Sequence, residues 1–285
     1  MSSPLVAAAE LQALLASATP TLLLDCRFDL TDTQAGERAY AEGHIPGAHY
    51  LHLERDLSGA KHDAAGHFRG RHPLPERETF AAIIGRLGLT AATQVVSYDA
   101  QGGMFAARAW WMLRWLGHEA VAVLDGGLPA WVAAGGAIDG QLPKMPEAAP
   151  YPLTHAPLPT IDAATLQQRL PALRLLDARA PERYRGEVEP LDAQAGHIPG
   201  AVNRFFQHNL GPDGRFKPAA MLRAEFEPLL AGAGTVVHQC GSGVTACHNL
   251  LAMEVAGLPG SLLYPGSWSE WSADPARPVT RGKPA

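Results

Sequence analysis

Three cysteines in 285 residues are too few to staple a fold of this length. Cys26, Cys240 and Cys247 are therefore expected as free thiols, which suits a reducing compartment, and the expected location is the cytoplasm. Charge is also sparse. Charged residues make up 18 % of the chain, the formal net charge is -5, and Lys and Arg are scattered singly. No basic face for nucleic acid can be built from them. Long apolar runs are missing too, none approaching the ~20 residues that span a bilayer. The apolar N-terminus has no basic stretch before it. Its Leu5, Leu11, Leu14 and Leu15 read as a short amphipathic helix, not a secretion signal. Metal-ligand spacing is absent as well. There is no close Cys-x2-Cys pair, and Cys247 and His248 are neighbours on an expected helix, pointing apart. Seven residues of helix put Cys240 and Cys247 ~10 Å apart, beyond disulfide reach. Neither a metal nor a cofactor is expected, and Cys26 and Cys247 read as packing residues.

What the chain does have is a repeat. GHIPGA occurs at residues 43–48 and again at 196–201. An apolar run ending in Asp precedes each copy, at 22–25 and 174–177. QVVSYD (94–99) matches TVVHQC (235–240), and LDGGLPAW (124–131) matches YPGSWSEW (264–271). Four landmarks in one order, at offsets of 140 to 153 residues, mark a duplication. Within each copy, short apolar runs alternate with helical patterns. Strands are expected at 22–25, 94–99 and 121–124, then at 173–176, 235–239 and 261–264. Helices are expected near 76–87 and 104–116, then near 218–231 and 245–256. Strands this apolar, divided by helices, indicate α/β domains, each a parallel sheet with helices on both faces. The expected domains are 1–140 and 155–285. Six prolines in 137–160 (Pro143, Pro146, Pro150, Pro152, Pro157 and Pro159) read as a stiff linker between them.

The copies differ in two places. From GHIPGA to the next strand, the first copy is 12 residues longer. The surplus falls in ERDLSGAKHDAAGHFRGRHPLP, whose His62, His67, Arg69 and Arg71 read mostly as a solvated loop. The second difference is chemical. After the strand VVHQ comes Cys240-Gly241-Ser242-Gly243-Val244-Thr245, then a helical stretch. Strand, small-residue loop and helix form an anion cradle, in which backbone N–H groups turn inward and the helix N-terminus adds its dipole. A cysteine at its mouth is favoured as thiolate and nucleophile. The first copy has Asp99 at that position, and a carboxylate cannot accept sulfur, so that copy is expected to be silent. A Cys-x5-Arg phosphatase is excluded, because Ala246 stands where the phosphate-clamping arginine would be.

The doubled module, the repeated GHIPGA and the Cys-Gly-Ser-Gly-Val-Thr loop together resemble the tandem-domain rhodanese-family sulfurtransferases, over roughly residues 10–280. The resemblance implies a sulfurtransferase that holds sulfur as a Cys240 persulfide. It would take sulfur from a small-molecule donor and pass it to thioredoxin, a small thiol or cyanide. Gly241, Gly243, Val244 and Thr245 would cradle the anion. In the family, neutral loops like this one belong to the 3-mercaptopyruvate type and basic ones to the thiosulfate type. Thiosulfate, or a non-enzymatic relay of sulfur to a bound partner, remains the alternative. The family's carboxylate-binding arginine falls on Arg183. A second arginine that some relatives place before GHIPG is missing here, so either Arg185 substitutes or substrate binding is weaker. The family's loop serine falls on Ser242, its histidine on His72, and its acid on Glu54 or Asp56. The longer segment between Arg55 and Pro73 is accordingly expected to lie across the Cys240 loop.

Overall fold

A computed structural model describes residues 3–145, 149–153, 157–230, 232 and 234–282. The chain packs as two compact units. The first holds the chain up to Gly59, then Pro75–Leu158 and Pro212–Phe216; the second holds Ala60–Leu74, Pro159–Gly211 and the chain from Lys217 onward.

The first unit is a five-stranded parallel sheet in the order β1-β5-β4-β2-β3, with β1 Leu5–Val6, β2 Thr21–Asp25, β3 His49–Tyr50, β4 Gln94–Tyr98 and β5 Val121–Leu124. Its helices are α1 Ala8–Leu15, α2 Ala35–Glu42, α3 Arg77–Arg86, α4 Ala106–Trp115 and α5 Gly127–Ala133. Leu11 on α1 is fully buried, as the amphipathic reading requires. Leu5 belongs instead to β1, paired with Val123. Such a short segment forms a strand only because the edge of β5 offers it partners, a signal that local periodicity does not contain.

The second unit is a four-stranded parallel sheet in the order β7-β6-β8-β9, with β6 Leu173–Asp177, β7 Val202–Asn203, β8 Thr235–Gln239 and β9 Leu262–Leu263. Its helices are α6 Ala163–Arg169, α7 Pro181–Arg185, α8 Ala219–Leu230, α9 Thr245–Val255 and α10 Ser267–Ala273. Its core packs Leu166, Leu175, Tyr184, Ile198, Val237, Trp268 and Trp271. Fully burying a side chain such as Leu175 or Val237 contributes about 1.5–3 kcal/mol.

The repeated hexapeptide has a structural job in each unit. His44 stacks on Tyr40 with centroids 3.9 Å apart, and His197 stacks on Tyr184 at the same distance. Tyr40 donates to Ala48 O at 2.7 Å, and Tyr184 donates to Ala201 O at 2.5 Å. A buried ion pair braces each corner, Arg27 on Asp25 and Arg179 on Asp177. Both arginines also donate to the carbonyl of the motif's first glycine, Gly43 and Gly196.

Residues 146–148 and 154–156 of the proline-rich stretch, including Pro146, lie outside the described residues. The parts before 146 and between the two gaps are pinned to the first unit. Asp139 bridges to His44, and Tyr151 N–H donates to Ala81 O. Among the described residues, no helix is long and apolar enough to cross a membrane.

Candidate active site

Cys240 follows the last residue of the central strand β8, at the carboxyl end of its sheet, where parallel sheets place ligands. It is buried, with 2 % of its surface exposed. Three contacts fix it. Its N–H donates to Ser267 Oγ at 3.1 Å, its C=O accepts from Trp268 N–H at 3.0 Å, and its Sγ accepts from Gly243 N–H at 3.1 Å. Gly243 has φ +77°, and a Cβ there would meet Pro265 O at 2.4 Å. Only glycine allows the chain to turn this N–H toward the sulfur. Val244 caps α9 and Thr245 opens it, so the positive end of the helix dipole lies four to five residues beyond the sulfur's own residue.

The first unit shows what this kind of loop binds. Asp99 follows β4 as Cys240 follows β8. Its C=O accepts from Leu128 N–H, the counterpart of Trp268 N–H. The Asp99 carboxylate is completely buried and accepts four backbone N–H bonds, from Gln101, Gly103, Phe105 and Ala106, at 2.8–3.0 Å. An anion is thus built into one copy of the cradle, where the other copy presents a thiol.

Ser267 had no assigned role in the sequence. It is the one non-glycine with positive φ among the described residues, at 54°. Gly127 stands at the matching place of the first copy with φ 58°. A side chain in this region costs about 1–2 kcal/mol, and the hydroxyl offsets it by accepting from Cys240 N–H and donating to Tyr264 O at 2.9 Å. The Gly-to-Ser mismatch between LDGGLPAW and YPGSWSEW was the available signal.

Ser242 is buried, and its Oγ lies 2.8 Å from His72 Nδ1. Residues 60–74 belong to the compact unit that holds Cys240. They are held there at Gly70, where a Cβ would strike Gly266 O at 2.8 Å, and at Arg71, whose N–H donates to Ser269 Oγ at 3.1 Å. Arg71 is therefore no solvated loop residue. Its guanidinium pairs with Asp192 Oδ1, while Arg183 Nη2 takes Asp192 Oδ2 at 3.0 Å and Glu189 Oε1 at 2.7 Å. A Cβ on Gly241 would lie 2.9 Å from Arg71 Nη2 and 3.4 Å from Arg183 Nη1. The loop carries no cation of its own, yet two guanidiniums stand over it. Burial pushes the Asp192 carboxyl above its ordinary range, against the pull of the Arg71 pairing.

Cys240, Ser242, His72 and Arg183 all lie in this unit, whereas Glu54 and Asp56 lie in the other one. There Asp56 accepts His52 N–H at 2.8 Å, and Glu54 N–H donates to the His52 ring at 3.1 Å. Arg185 pairs with Glu187 at 2.7 Å, its side chain 29 % exposed. Cys247 is buried with its Sγ on Gly243 O at 3.4 Å, and Cys26 is buried, its thiol pushed well up by desolvation. Among the described residues, no group of three or more His, Cys, Asp or Glu is placed to hold a metal ion.

Comparison with known proteins agrees with this architecture. The rhodanese-like domain model matches residues 7–134 and again 162–274. A probable 3-mercaptopyruvate sulfurtransferase of Pseudomonas aeruginosa is 50 % identical over 294 residues, covering 99 % of each chain. A thiosulfate sulfurtransferase of Bos taurus is 34 % identical over 271 residues, covering 92 % of this chain and 89 % of its own. The crystal structure of SseA from Escherichia coli, described as a 3-mercaptopyruvate sulfotransferase, superposes with TM-score 0.78 at 30 % identity, covering 94 % of this chain and all of its own. With two matched domains and full-length relatives, the chain belongs to the rhodanese family, as a two-domain sulfurtransferase.

Proposed function

We propose that this sulfurtransferase takes its sulfur from 3-mercaptopyruvate, stores it as a Cys240 persulfide, and hands it to a thiol such as thioredoxin or a small thiol, or to cyanide. The Cys240 thiolate attacks the donor's thiol sulfur. The S–S bond forms as the C–S bond breaks, and pyruvate departs as its enolate. The thiol proton ends on the methyl carbon of pyruvate, and the terminal sulfur carries the charge. Gly243 N–H and the opening turn of α9 stabilise that anion without a metal. The acceptor then removes the outer sulfur and regenerates the thiolate. Such thiol chemistry suits a reducing compartment such as the cytoplasm.

The observation that carries the choice of donor is the His72–Ser242 hydrogen bond. Cleaving C–S requires a proton to travel from sulfur to carbon, and an imidazole paired with a hydroxyl provides the route. Cleaving the S–S bond of thiosulfate releases sulfite and needs no such transfer. One preparation incubated with 3-mercaptopyruvate and then digested should gain one sulfur atom on the peptide holding Cys240, and Cys240→Ser should gain none. Sulfur found on Cys26 or Cys247 would overturn the assignment. Turnover should be faster with 3-mercaptopyruvate than with thiosulfate; the reverse makes thiosulfate the donor.

A further inference from the structure

Residues 187–193, between α7 and the second GHIPGA, fold with their carboxylates inward. The Glu189 and Asp192 side chains are each 3 % exposed, held by Arg183 at 2.7 and 3.0 Å. Arg179 reaches Glu189 at 3.4 Å, and Arg71 takes the other oxygen of Asp192. Glu189 Oε1 also accepts the N–H groups of Leu191 and Asp192, at 3.1 and 3.2 Å. The segment is thus pinned from inside, and its aliphatic side chains are left outside. Val188 is 50 % exposed and Leu191 48 %, with Pro190 and Ala193 exposed beside them. A single exposed aliphatic means little. Here a loop buries two carboxylates, at a desolvation cost that only their arginine partners offset, and turns its apolar residues to solvent. That reverses the ordinary pattern of a loop. Glu187, the exposed acid of the segment, is paired with Arg185 and adds no net charge to this face.

The loop is continuous with the site. Asp192 bonds Arg71 and Arg183, and both guanidiniums stand over Gly241, next to the sulfur-bearing residue. Cys240 itself is buried, so an acceptor has to be held at the rim while its thiol reaches inward. We propose that Val188 and Leu191 form the docking surface for the sulfur acceptor, and that this acceptor is a protein whose thiol is bordered by apolar surface. The inference rests on the reading of Cys240 as the sulfur carrier. In the step this surface serves, the acceptor thiolate attacks the outer sulfur of the persulfide. The new S–S bond forms as the bond to Cys240 Sγ breaks, Cys240 leaves as thiolate, and the acceptor departs as a persulfide. Four apolar residues fall far short of the ~800 Å² per partner of a stable interface. They suit a transient encounter, which turnover requires, better than a lasting pairing of two copies of the chain. A small thiol or cyanide has no surface with which to use them.

The experiment compares full-length wild type with the double variant Val188→Ser, Leu191→Ser, both supplied with 3-mercaptopyruvate. It reads kcat/KM for three acceptors: reduced thioredoxin, dithiothreitol and cyanide. Loss of the apolar contact is expected to lower kcat/KM with thioredoxin about 10- to 50-fold, mainly through KM. Dithiothreitol and cyanide are expected to stay within a few-fold of wild type. An equal loss with all three acceptors makes these residues part of the packing of the site and overturns the docking role. No loss with thioredoxin overturns it as well. Sedimentation velocity reads self-association, and a wild-type dimer that the double variant dissolves makes the patch a contact between copies, which also overturns the proposal. If the double variant does not fold, Leu191→Ala decides by the same readings. Sulfur loading of Cys240 in wild type, read by mass, is a separate arm. Its failure removes the carrier reading, while titration calorimetry of reduced thioredoxin into wild type and variant still judges the docking surface.

Discussion

His72 Nδ1 and Ser242 Oγ, separated by 170 residues of chain, lie 2.8 Å apart, and both side chains are buried. Out of water, a hydrogen bond between a ring nitrogen and a hydroxyl has a defined direction and few competitors. His72→Ala is expected to lower kcat with 3-mercaptopyruvate by ~10²–10⁴-fold, the usual contribution of proton transfer. Turnover of thiosulfate by the same variant should change by no more than a few-fold. Steady-state rates on both donors provide the check, and an equal loss on both makes His72 a packing residue.

Asp99 has a role that its lack of sulfur chemistry conceals. Its carboxylate satisfies four backbone N–H groups at the entry to α4, all partly or fully buried. Asp99→Ala orphans these donors, and each buried donor left unsatisfied costs about 1–3 kcal/mol before relaxation. Urea unfolding is expected to show a loss of about 2–4 kcal/mol, with Cys240 still able to load sulfur. A loss below about 1 kcal/mol would mean that water replaces the carboxylate.

His238, on β8 two residues before Cys240, sets a dependence on acid. It is fully buried with Nε2 against Met253 Sδ at 3.0 Å, and desolvation pushes its pKa down to about 3. In the unfolded chain this histidine titrates near 6.5. Between those values the unfolded state binds a proton that the native state refuses, so stability falls as pH falls through that window. The slope is about 1.4 kcal/mol per pH unit, and it levels off below the folded value. His238→Leu removes this contribution. The melting temperature of the variant relative to wild type should therefore rise steadily from pH 7 to pH 4. A constant difference over that range would mean that His238 charges inside the fold.

The duplication, both parallel sheets and the position of the Cys240 loop after a strand were legible because each has a local signature. Apolar runs of strand length, divided by helical periods, encode β2, β4, β5, β6, β8 and the long helices near the places expected of them. The two-residue strands β1, β3 and β7 carry no such pattern. They exist because the edge of an already formed sheet offers them hydrogen bonds. Ser267 was visible only as a mismatch between the repeats, and its meaning waited on the contact with Cys240 N–H.

The sequence by itself determined that a thiol stands at Cys240 where the first copy has Asp99, since one atom type decides it and the loop of small residues after it is contiguous. The tertiary structure alone decided what surrounds that sulfur. Arg71 with His72, Arg183 with Asp192, and Ser267 come from three stretches far apart in the chain, of different type, and nothing in the local sequence distinguishes Arg71 from Arg69 or Arg185. Packing distinguishes them. Arg185 pairs with the exposed Glu187, whereas Arg71 is held over Gly241 by a shared buried carboxylate and a backbone bond to Ser269. The free energy that selects it comes from groups that become neighbours only once the second sheet, α7 and residues 60–74 have come together.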